Sequence, residues 1–302
     1  MILCTGEALI DLIPGPDGTI RPVPGGAVWN TALALGRLGA PAAFLWPIST
    51  DAFGPRLLAP LAEAGVDTAR CPRPDRPTTR AEVRLNDGEA SYIFHDEGSA
   101  GRLFAETDLS PLPPTLAALF IGGISLAAEP CGATVETLAT RAAHASVPVM
   151  IDPNIRPAFV TDAAAYRARL DRLFGLAAIV KLSADDAGWL WPGASPDEAA
   201  RHLLARGVRL VLITAGAAGA VGHTPTLRCA APARPVTVAD SIGAGDSFNA
   251  GILDALNRAG PLPRLADLDA ATLDAALAHA TRVAAVTVSR PGADPPWPHE
   301  LG

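Results

Sequence analysis

The second half of the chain alternates between short apolar runs and longer amphipathic segments. From residue 116 onward the apolar runs are typical of buried strands, and they are LAALFIGG, VPVMID, AAIVKLS and RLVLIT. The segments between and after them predict helices at 130–145, 162–175, 195–206, about 244–259 and 271–287. This order predicts an α/β fold, with a mostly parallel sheet flanked by helices. Ligands of such sheets bind beyond the carboxyl ends of the strands, so we expect the chemistry in the loops that follow them.

Two segments nearer the N-terminus break this pattern and predict a small separate β-sheet. Residues 10–24 carry Pro-Gly and Asp-Gly turn signals, and residues 78–95 alternate around the turn Asn86-Asp87-Gly88. The other elements expected in this part are strands at 2–5 and 42–46 and helices after Gly26 and at 53–64. No repeat or low-complexity linker divides the chain. We therefore predict one domain over 1–302, with the small sheet, from about 10–24 and 78–98, inserted in the α/β core.

Charge and composition exclude several classes of function. The chain has 24 Lys and Arg against 31 Asp and Glu, a net charge of −7. This argues against nucleic acid or an anionic membrane as the main partner, because both attract clustered positive charge. Lys181 is the only lysine, so a G-x-x-x-x-G-K-[ST] phosphate loop and the strand lysine of protein kinases are both excluded.

The sequence also predicts a cytoplasmic protein. No stretch approaches the roughly 20 apolar residues of a membrane span, and the first residues lack the basic region of a secretory signal. The cysteines have irregular spacings, which favour buried reduced thiols over a zinc site or a disulfide framework; they are Cys4, Cys71, Cys131 and Cys229.

The segment DSIGAGDSFNAG, at 240–251, carries the most chemical information. Gly243, Ala244 and Gly245 have almost no side chain, so their backbone amides can approach a ligand closely. They lie at a predicted helix N-terminus, where unpaired N–H groups and the helix dipole favour an anion. Asp246 places a carboxylate beside that anion site, where accepting a proton from an attacking hydroxyl is a suitable task. The alternatives are an ordinary helix cap, and a dinucleotide fingerprint that fails because its third glycine would fall on Phe248.

This segment resembles the C-terminal signature of the ribokinase-like (PfkB) carbohydrate kinases, and GGAVWNTALALGRLGA, at 25–40, resembles their N-terminal signature. The resemblance covers essentially the whole chain. It is greatest to the bacterial fructokinases in this family, through the phrases GEALIDL, ISLAAEP, DPNIRP and KLS. It implies a Rossmann-like α/β fold with a small β-sheet lid over the sugar, and the two segments that interrupt the α/β pattern fit that lid.

The resemblance implies roles for individual residues. Asp246 matches the catalytic base of the family, and Gly243, Ala244 and Gly245 match its anion hole for the transferred phosphoryl group. The residues that match sugar contacts are Asp11, Gly25, Gly26 and Asn30. The residues that match nucleotide contacts are Thr214, Gly216 and Gly219, in LITAGAAGA. Without the family match, Asp11 would be read as a strand end, Asn30 as a helix-surface residue and the TxG as a turn.

One motif departs from the family pattern. The N-x-x-E motif, linked to Mg²⁺ and phosphate through water, is here Ser183-Ala-Asp-Asp186. Ser183 matches the fructokinase variant, whereas Asp186 is one methylene shorter than Glu, which shifts the water network of a metal that keeps several waters anyway. Lys181 is expected to be a strand-end or surface residue rather than a catalytic one, and His279, on the last helix, an exposed residue.

A second departure lies in the lid phrase YIFHDEGSA, at 92–100. Relatives commonly carry Arg where this chain has Asp96. A carboxylate there would repel an acid sugar, by about 4 kcal/mol for like charges about 4 Å apart before screening. Arg156, in DPNIRP, is then expected to be the one cation near the site, engaged by Asp96 or by the phosphates. The alternative is that Asp96 points to solvent at the lid edge.

The resemblance thus implies an ATP-dependent sugar kinase, a fructokinase acting on D-fructose. The alternatives are 2-keto-3-deoxygluconate kinase and, in another class, a catalytically silent sugar- or nucleotide-binding regulator, although Asp246 and the glycine turn are intact. An NAD-linked oxidoreductase lacks the complete glycine fingerprint. The implied cofactors are ATP, Mg²⁺ and a monovalent cation such as K⁺. The resemblance places the monovalent cation at backbone carbonyls around Asp240 and 289–292. Whether two lids pair into a homodimer stays open.

Overall fold

The computed structural model describes the chain except residues 16, 18, 87, 88 and 261, and for 83–86, 89–92, 263, 264 and 266 it describes the backbone alone. The strands, in chain order, are β1 (Ile2–Thr5), β2 (Leu9–Pro14), β3 (Ile20–Gly25), β4 (Ala42–Phe44), β5 (Arg80–Asn86), β6 (Glu89–His95), β7 (Ala118–Gly122), β8 (Val149–Asp152), β9 (Ile179–Ser183), β10 (Leu210–Thr214), β11 (Ala220–His223) and β12 (Arg228–Ala231). The helices are α1 (Ala27–Arg37), α2 (Gly54–Glu63), α3 (Cys131–His144), α4 (Ala163–Leu176), α5 (Ala184–Leu190), α6 (Pro196–Leu204), α7 (Ala244–Ala259) and α8 (Ala270–Val288).

The larger sheet has eight strands in the order β12-β11-β10-β9-β8-β7-β1-β4. In this sheet, neighbouring strands from β4 through β1, β7, β8 and β9 to β10 pair in parallel. Strands β11 and β12 add an antiparallel edge. Strands of a parallel sheet are buried on both faces, which explains why β7 to β10 read as continuous apolar runs. Helices flank this sheet; α7 packs against both α1 and α8, and α3 and α4 pack near β7 and β8. The predicted α/β class is confirmed.

The smaller sheet has four strands in the order β3-β2-β5-β6. Its two hairpins, β2–β3 and β5–β6, are antiparallel, and a parallel pairing of β2 with β5 joins them. Of the turns predicted between these strands, residues 16, 18, 87 and 88 lie outside the described part. The separate small sheet is part of the confirmed fold class. That this sheet acts as a lid, and that residues 1–302 form one domain, both stay predictions.

Helix α5 is the main element that the sequence analysis missed. Ser183 Oγ accepts the N–H of Asp186 at 3.0 Å, and an oxygen of Asp186 accepts the N–H of Ser183 at 2.8 Å. This S-x-x-D capping box, with Asp in place of the usual Glu or Gln, is the local signal for the start of a helix. All four cysteines are buried and free, as predicted. Within the described residues, no helix combines the length and apolarity that crossing a bilayer requires.

Candidate active site

The glycine-rich turn lies at the N-terminus of α7, as its sequence predicts. Gly243 has φ +77°, in the left-handed region, and a Cβ there would stand 2.7 Å from the Cβ of Ala293. Only glycine fits both constraints. The first N–H groups of a helix have no partner within it, and Ala244 N makes just one long bond, 3.4 Å, to the carbonyl of Ser241. The turn can therefore present N–H donors to an anion.

Asp246 is the acidic residue of this turn, and 7% of it is exposed. Its Oδ2 accepts a hydrogen bond from Asn30 Nδ2 at 2.8 Å, which joins α7 to α1. Burial raises the pKa of Asp246 to about 7, and the negative charges of Asp152 and Glu7 also raise it. The hydrogen bond from Asn30 and the positive charge of Lys181 lower it, but by less. A carboxyl that titrates near neutral pH is suited to general base catalysis.

The residues predicted to contact sugar form two close groups. Asp11 Oδ2 would be 2.5 Å from a Cβ on Gly25, so the Asp11 carboxylate lies against the Gly25 backbone. Burial raises the pKa of Asp11 to about 6. Gly26, with φ +112°, is the N-cap residue of α1, and Asn30 follows one turn later. Asn30 Oδ1 is buried without a hydrogen-bond partner in the described part of the chain, so it is an acceptor that a ligand hydroxyl could satisfy.

Glu7 lies at the start of α1 beside these groups, and its role could not be predicted from the sequence. Its Oε1 accepts the N–H of Ala27 at 3.0 Å, and its Oε2 accepts the N–H of Ser125 at 3.2 Å. Burial raises the pKa of Glu7 to about 7. The side chain therefore fixes the first turn of α1 to the loop that follows β7. The phrase GEALIDL contained this residue, but nothing in a single sequence gives its partners.

A cleft adjoins Glu7, and the Asp96 carboxylate lies on its wall. The cleft is lined by Glu7, Thr79, Asp96, Arg102, Ser125 and Phe159, among others. Asp96 Oδ2 accepts a hydrogen bond from Arg102 Nη1 at 2.7 Å, and Arg102 Nε donates to the carbonyl of Glu129 at 2.6 Å. Arg156, which we expected to be the one cation near the site, is exposed and donates to the carbonyl of its neighbour Ile155. Asp96 is paired with Arg102 because the turn after Asp96 brings Arg102 back beside it, and a contact of Arg156 with the substrate stays a prediction.

The residues expected at the nucleotide lie at the ends of β9 and β10. Thr214 is half-buried at the end of β10, next to Ser183 in register on β9. Gly216 and Gly219 have φ +51° and +91° in the short turn that follows. Asp186 is buried, and its oxygens accept the N–H of Ile155, the N–H of Ser183 and the Ser183 hydroxyl. Two neighbouring strand ends thus form one face beside the glycine turn.

The pattern that describes the pfkB family carbohydrate kinases matches residues 1–300. The chain belongs to this family. This carbohydrate kinase is 46% identical over 261 residues to a fructokinase of Rhizobium leguminosarum bv. trifolii, an alignment that covers 85% of the chain and 79% of the relative. It is 35% identical over 260 residues to a fructokinase of Escherichia coli, with 84% of each chain covered. It is therefore a phosphotransferase with an alcohol acceptor.

Solved structures give the same family. The kinase matches a fructokinase of Xylella fastidiosa with bound ATP at a TM-score of 0.90 and 29% identity, covering 99% of this chain and 96% of that one. A fructokinase double mutant of Vibrio cholerae O395, in its fructose, ADP and potassium ion bound form, matches at a TM-score of 0.85 and 27% identity. The match covers 97% of this chain and 93% of that one. Aminoimidazole riboside kinase of Salmonella enterica, complexed with aminoimidazole riboside and an ATP analog, also matches at a TM-score of 0.85 and 27% identity. The match covers 99% of this chain and 97% of that one.

Lys181 of this kinase, which we expected at a strand end or on the surface, is buried in the middle of β9. Only 4% of it is exposed, and its Nζ lies 2.9 Å from Asp152 Oδ2. The same oxygen accepts Asn249 Nδ2, from α7, at 2.7 Å. The signal was present in the sequence, as a lone lysine inside the apolar run AAIVKLS. His279 was also expected to be exposed, but its Nε2 lies 3.0 Å from the buried Asp254.

Proposed function

We propose that this carbohydrate kinase is an ATP-dependent fructokinase that phosphorylates D-fructose. The observation that carries the proposal is a buried carboxyl with a pKa near 7, Asp246, next to a glycine turn suited to an anion. The names of the relatives supply the substrate class, since both curated relatives above are fructokinases and one structural neighbour holds fructose and ADP.

The reaction is an in-line phosphoryl transfer. A fructose hydroxyl attacks the γ-phosphorus of ATP, so a bond forms between that oxygen and phosphorus, the bond from phosphorus to the β-phosphate oxygen breaks, and ADP leaves. Asp246 takes the proton of the attacking hydroxyl. The N–H groups of Gly243, Ala244 and Gly245 stabilise the charge on the equatorial oxygens of the phosphoryl group. Asn30 holds the base in place through its hydrogen bond to Oδ2.

The sugar is held between α1 and the small sheet. Asp11 accepts hydrogen bonds from sugar hydroxyls, which a carboxylate with two free oxygens can do for adjacent hydroxyls. Gly25 and Gly26 let the backbone approach the sugar, and Asn30 Oδ1 accepts a further hydroxyl. The small sheet, acting as a lid, excludes water that would otherwise hydrolyse ATP.

The nucleotide contacts are Thr214, Gly216, Gly219 and Ser183, and Mg²⁺ is the metal of the nucleotide. The described residues include no group of three or more metal-ligating side chains that could hold an ion directly. Mg²⁺ does not need such a group, because it keeps several waters and binds through substrate phosphates. Asp186, whose oxygens already accept N–H and O–H donors, would hold such an ion through water. When bound, Mg²⁺ neutralises charge on the β- and γ-phosphates.

A monovalent cation such as K⁺ is proposed for the loops around Asp240 and 289–292. The carboxylate of Asp240 accepts the N–H of Ile242 at 3.0 Å and of Gly292 at 2.9 Å. The N–H groups of Ala239 and Asp240 both donate to the carbonyl of Val288. These contacts hold two loops together beside the glycine turn, where their remaining carbonyls can face an ion. We also propose a cytoplasmic location and a homodimer formed through the lid.

The cleft favours a neutral sugar over 2-keto-3-deoxygluconate. Asp96, which we expected to be engaged by Arg156 or to face solvent, is paired with Arg102. The pair neutralises the guanidinium of Arg102, and among the described residues that line the cleft there is no other cation to attract an acid sugar. A catalytically silent regulator is disfavoured because Asp246, the glycine turn and Asn30 are all in place.

A coupled assay of ADP release with a panel of sugars tests the proposal. We expect D-fructose to give the highest kcat/KM, above 2-keto-3-deoxygluconate, ribose and a nucleoside. A preference of tenfold or more for the acid sugar would promote that alternative. ATP binding without turnover of any sugar would instead support the silent regulator.

A further inference from the structure

The ion pair of Lys181 and Asp152 is buried directly beside the glycine turn. Both oxygens of Asp152 are fixed, since Oδ1 accepts the N–H of Asn154 at 3.1 Å and Oδ2 accepts both Lys181 Nζ and Asn249 Nδ2. Asn249 lies on α7, three residues after Asp246. The Asp152 carboxylate therefore ties β8 and β9 to the second turn of α7.

The ammonium group of Lys181 also contacts the turn itself. A Cβ on Gly245 would stand 3.1 Å from Nζ, so the charge lies against the backbone of the residue that precedes Asp246. The pKa of Lys181 is raised; burial pulls it down, but Asp152, Asp186 and Asp246 outweigh burial. The ammonium thus stays charged within a group of carboxyls that includes the base.

Stability alone does not account for this pair. A buried ion pair loses hydration on both charges, and replacing such pairs by well-packed apolar residues is often neutral or stabilising. The chain carries 24 Lys and Arg, and Lys181 is the only lysine among them. A compact ammonium on a flexible stem fits beside Gly245, where a planar guanidinium needs more room.

We propose that Lys181 and Asp152 are positioning residues for Asp246, which hold the first turn of α7 and set how readily the Asp246 carboxylate takes the hydroxyl proton. The inference rests on the proposed role of Asp246 as the base. During transfer the hydroxyl proton goes to Asp246, Lys181 keeps its three protons, and Asp152 remains a carboxylate.

The two partners act on the base in opposite directions. The charged groups that face Asp246 are Glu7 from the loop after β1, Asp152 from β8 and Lys181 from β9, while Asn30 from α1 donates a hydrogen bond and Asp186 from α5 faces Lys181. Asp152 raises the pKa of Asp246, and Lys181 lowers it. Removing either partner breaks the same contact, so a merely structural role predicts the same change for both variants. An electrostatic role predicts opposite changes.

The test compares Lys181→Met with Asp152→Asn by the pH dependence of kcat/KM for fructose, whose acid limb reports the base of the free enzyme. We expect the limb to move up in Lys181→Met and down in Asp152→Asn, each by at least about half a pH unit, since a nearby charge moves a carboxyl pKa by about 1–3 units. Asp254→Asn is the matched control, because it removes a buried, ion-paired carboxylate from α7, the helix that also carries Asp246. Its acid limb should not move.

Shifts in the same direction, or no shift in either variant, would overturn the proposal. Failure of the proposed function is a separate outcome, in which the wild-type enzyme phosphorylates no fructose at any pH.

A second measurement needs no folded variant of the pair. Because Lys181 is the only lysine, ¹³C-labelled lysine gives a single lysine signal by NMR. We expect this signal in the wild-type enzyme to inflect at the pH of the acid limb, and the inflection to vanish in Asp246→Asn. Glu7 also titrates near 7, so an inflection that persists in Asp246→Asn belongs to Glu7 and refutes the coupling. No inflection in the wild type refutes it as well.

Discussion

Asp246 combines burial with a hydrogen bond from the side chain of Asn30, and these two facts set its chemistry. Asp246→Asn keeps the shape but cannot accept a proton. We expect kcat to fall by about 10²–10⁴, the usual effect of losing a general base, while fructose binding, measured by calorimetry, is kept. In the wild type, kcat/KM should fall as the pH drops below about 7, because Asp246 is then protonated. A variant with more than a tenth of the wild-type rate would contradict the assignment.

The same residue makes a prediction about stability. Burial raises the pKa of Asp246 from 3.8 to about 7. Its neutral form therefore stabilises the fold fully below 3.8, and this contribution is lost as the pH rises through about 7. Asp246→Asn stays neutral, so its Tm relative to the wild type should rise between these two pH values. A Tm difference that does not change with pH would show that the carboxyl is not desolvated.

Helix α5 gives a prediction at the scale of one element, because α5 and α6 begin with similar capping boxes. Ser183 pairs with Asp186 at the start of α5, and Ser195 pairs with Glu198 at the start of α6. Ser183→Ala and Ser195→Ala should each lower the free energy of unfolding by about 1 kcal/mol, the usual cost of losing an N-cap. Only Ser183→Ala should also raise the KM for MgATP, since Ser183 lies at the proposed nucleotide face. Equal KM values in the two variants would remove Ser183 and Asp186 from that face.

At the scale of the whole molecule, the two sheets meet at the cleft where Arg102 bridges Asp96 and the carbonyl of Glu129. Asp96→Asn frees the guanidinium of Arg102. A charged hydrogen bond contributes about 1.5–3 kcal/mol, so kcat/KM for 2-keto-3-deoxygluconate should rise about tenfold relative to fructose. Arg102→Met is the matched control, which should not improve the acid sugar. The ratio of the two kcat/KM values in a coupled assay decides between these outcomes.

The contact between the 239–240 and 288–292 segments gives a further prediction at this scale. Asp240 holds the N–H of Gly292, so the two loops are fixed beside the first turn of α7. If K⁺ binds their carbonyls, replacing K⁺ by tetramethylammonium should lower kcat several-fold, with Asp240→Asn reducing the response. Full activity without any monovalent cation would contradict the proposed site.

The α/β class, the small sheet and the glycine turn with Asp246 could all be predicted from the sequence. These features are local: periodicity records which faces of a strand or helix are buried, and residues 243–246 are contiguous. The partners of Lys181, Glu7 and Asp96 could not be predicted in this way, because they depend on how the chain folds. Lys181 meets Asp152 from the neighbouring strand, Asn249 meets Asp152 across 97 positions, and Asp96 meets Arg102 rather than Arg156. A buried charge must be paired, but which partner reaches it depends on strand order and side-chain direction, and one sequence records neither.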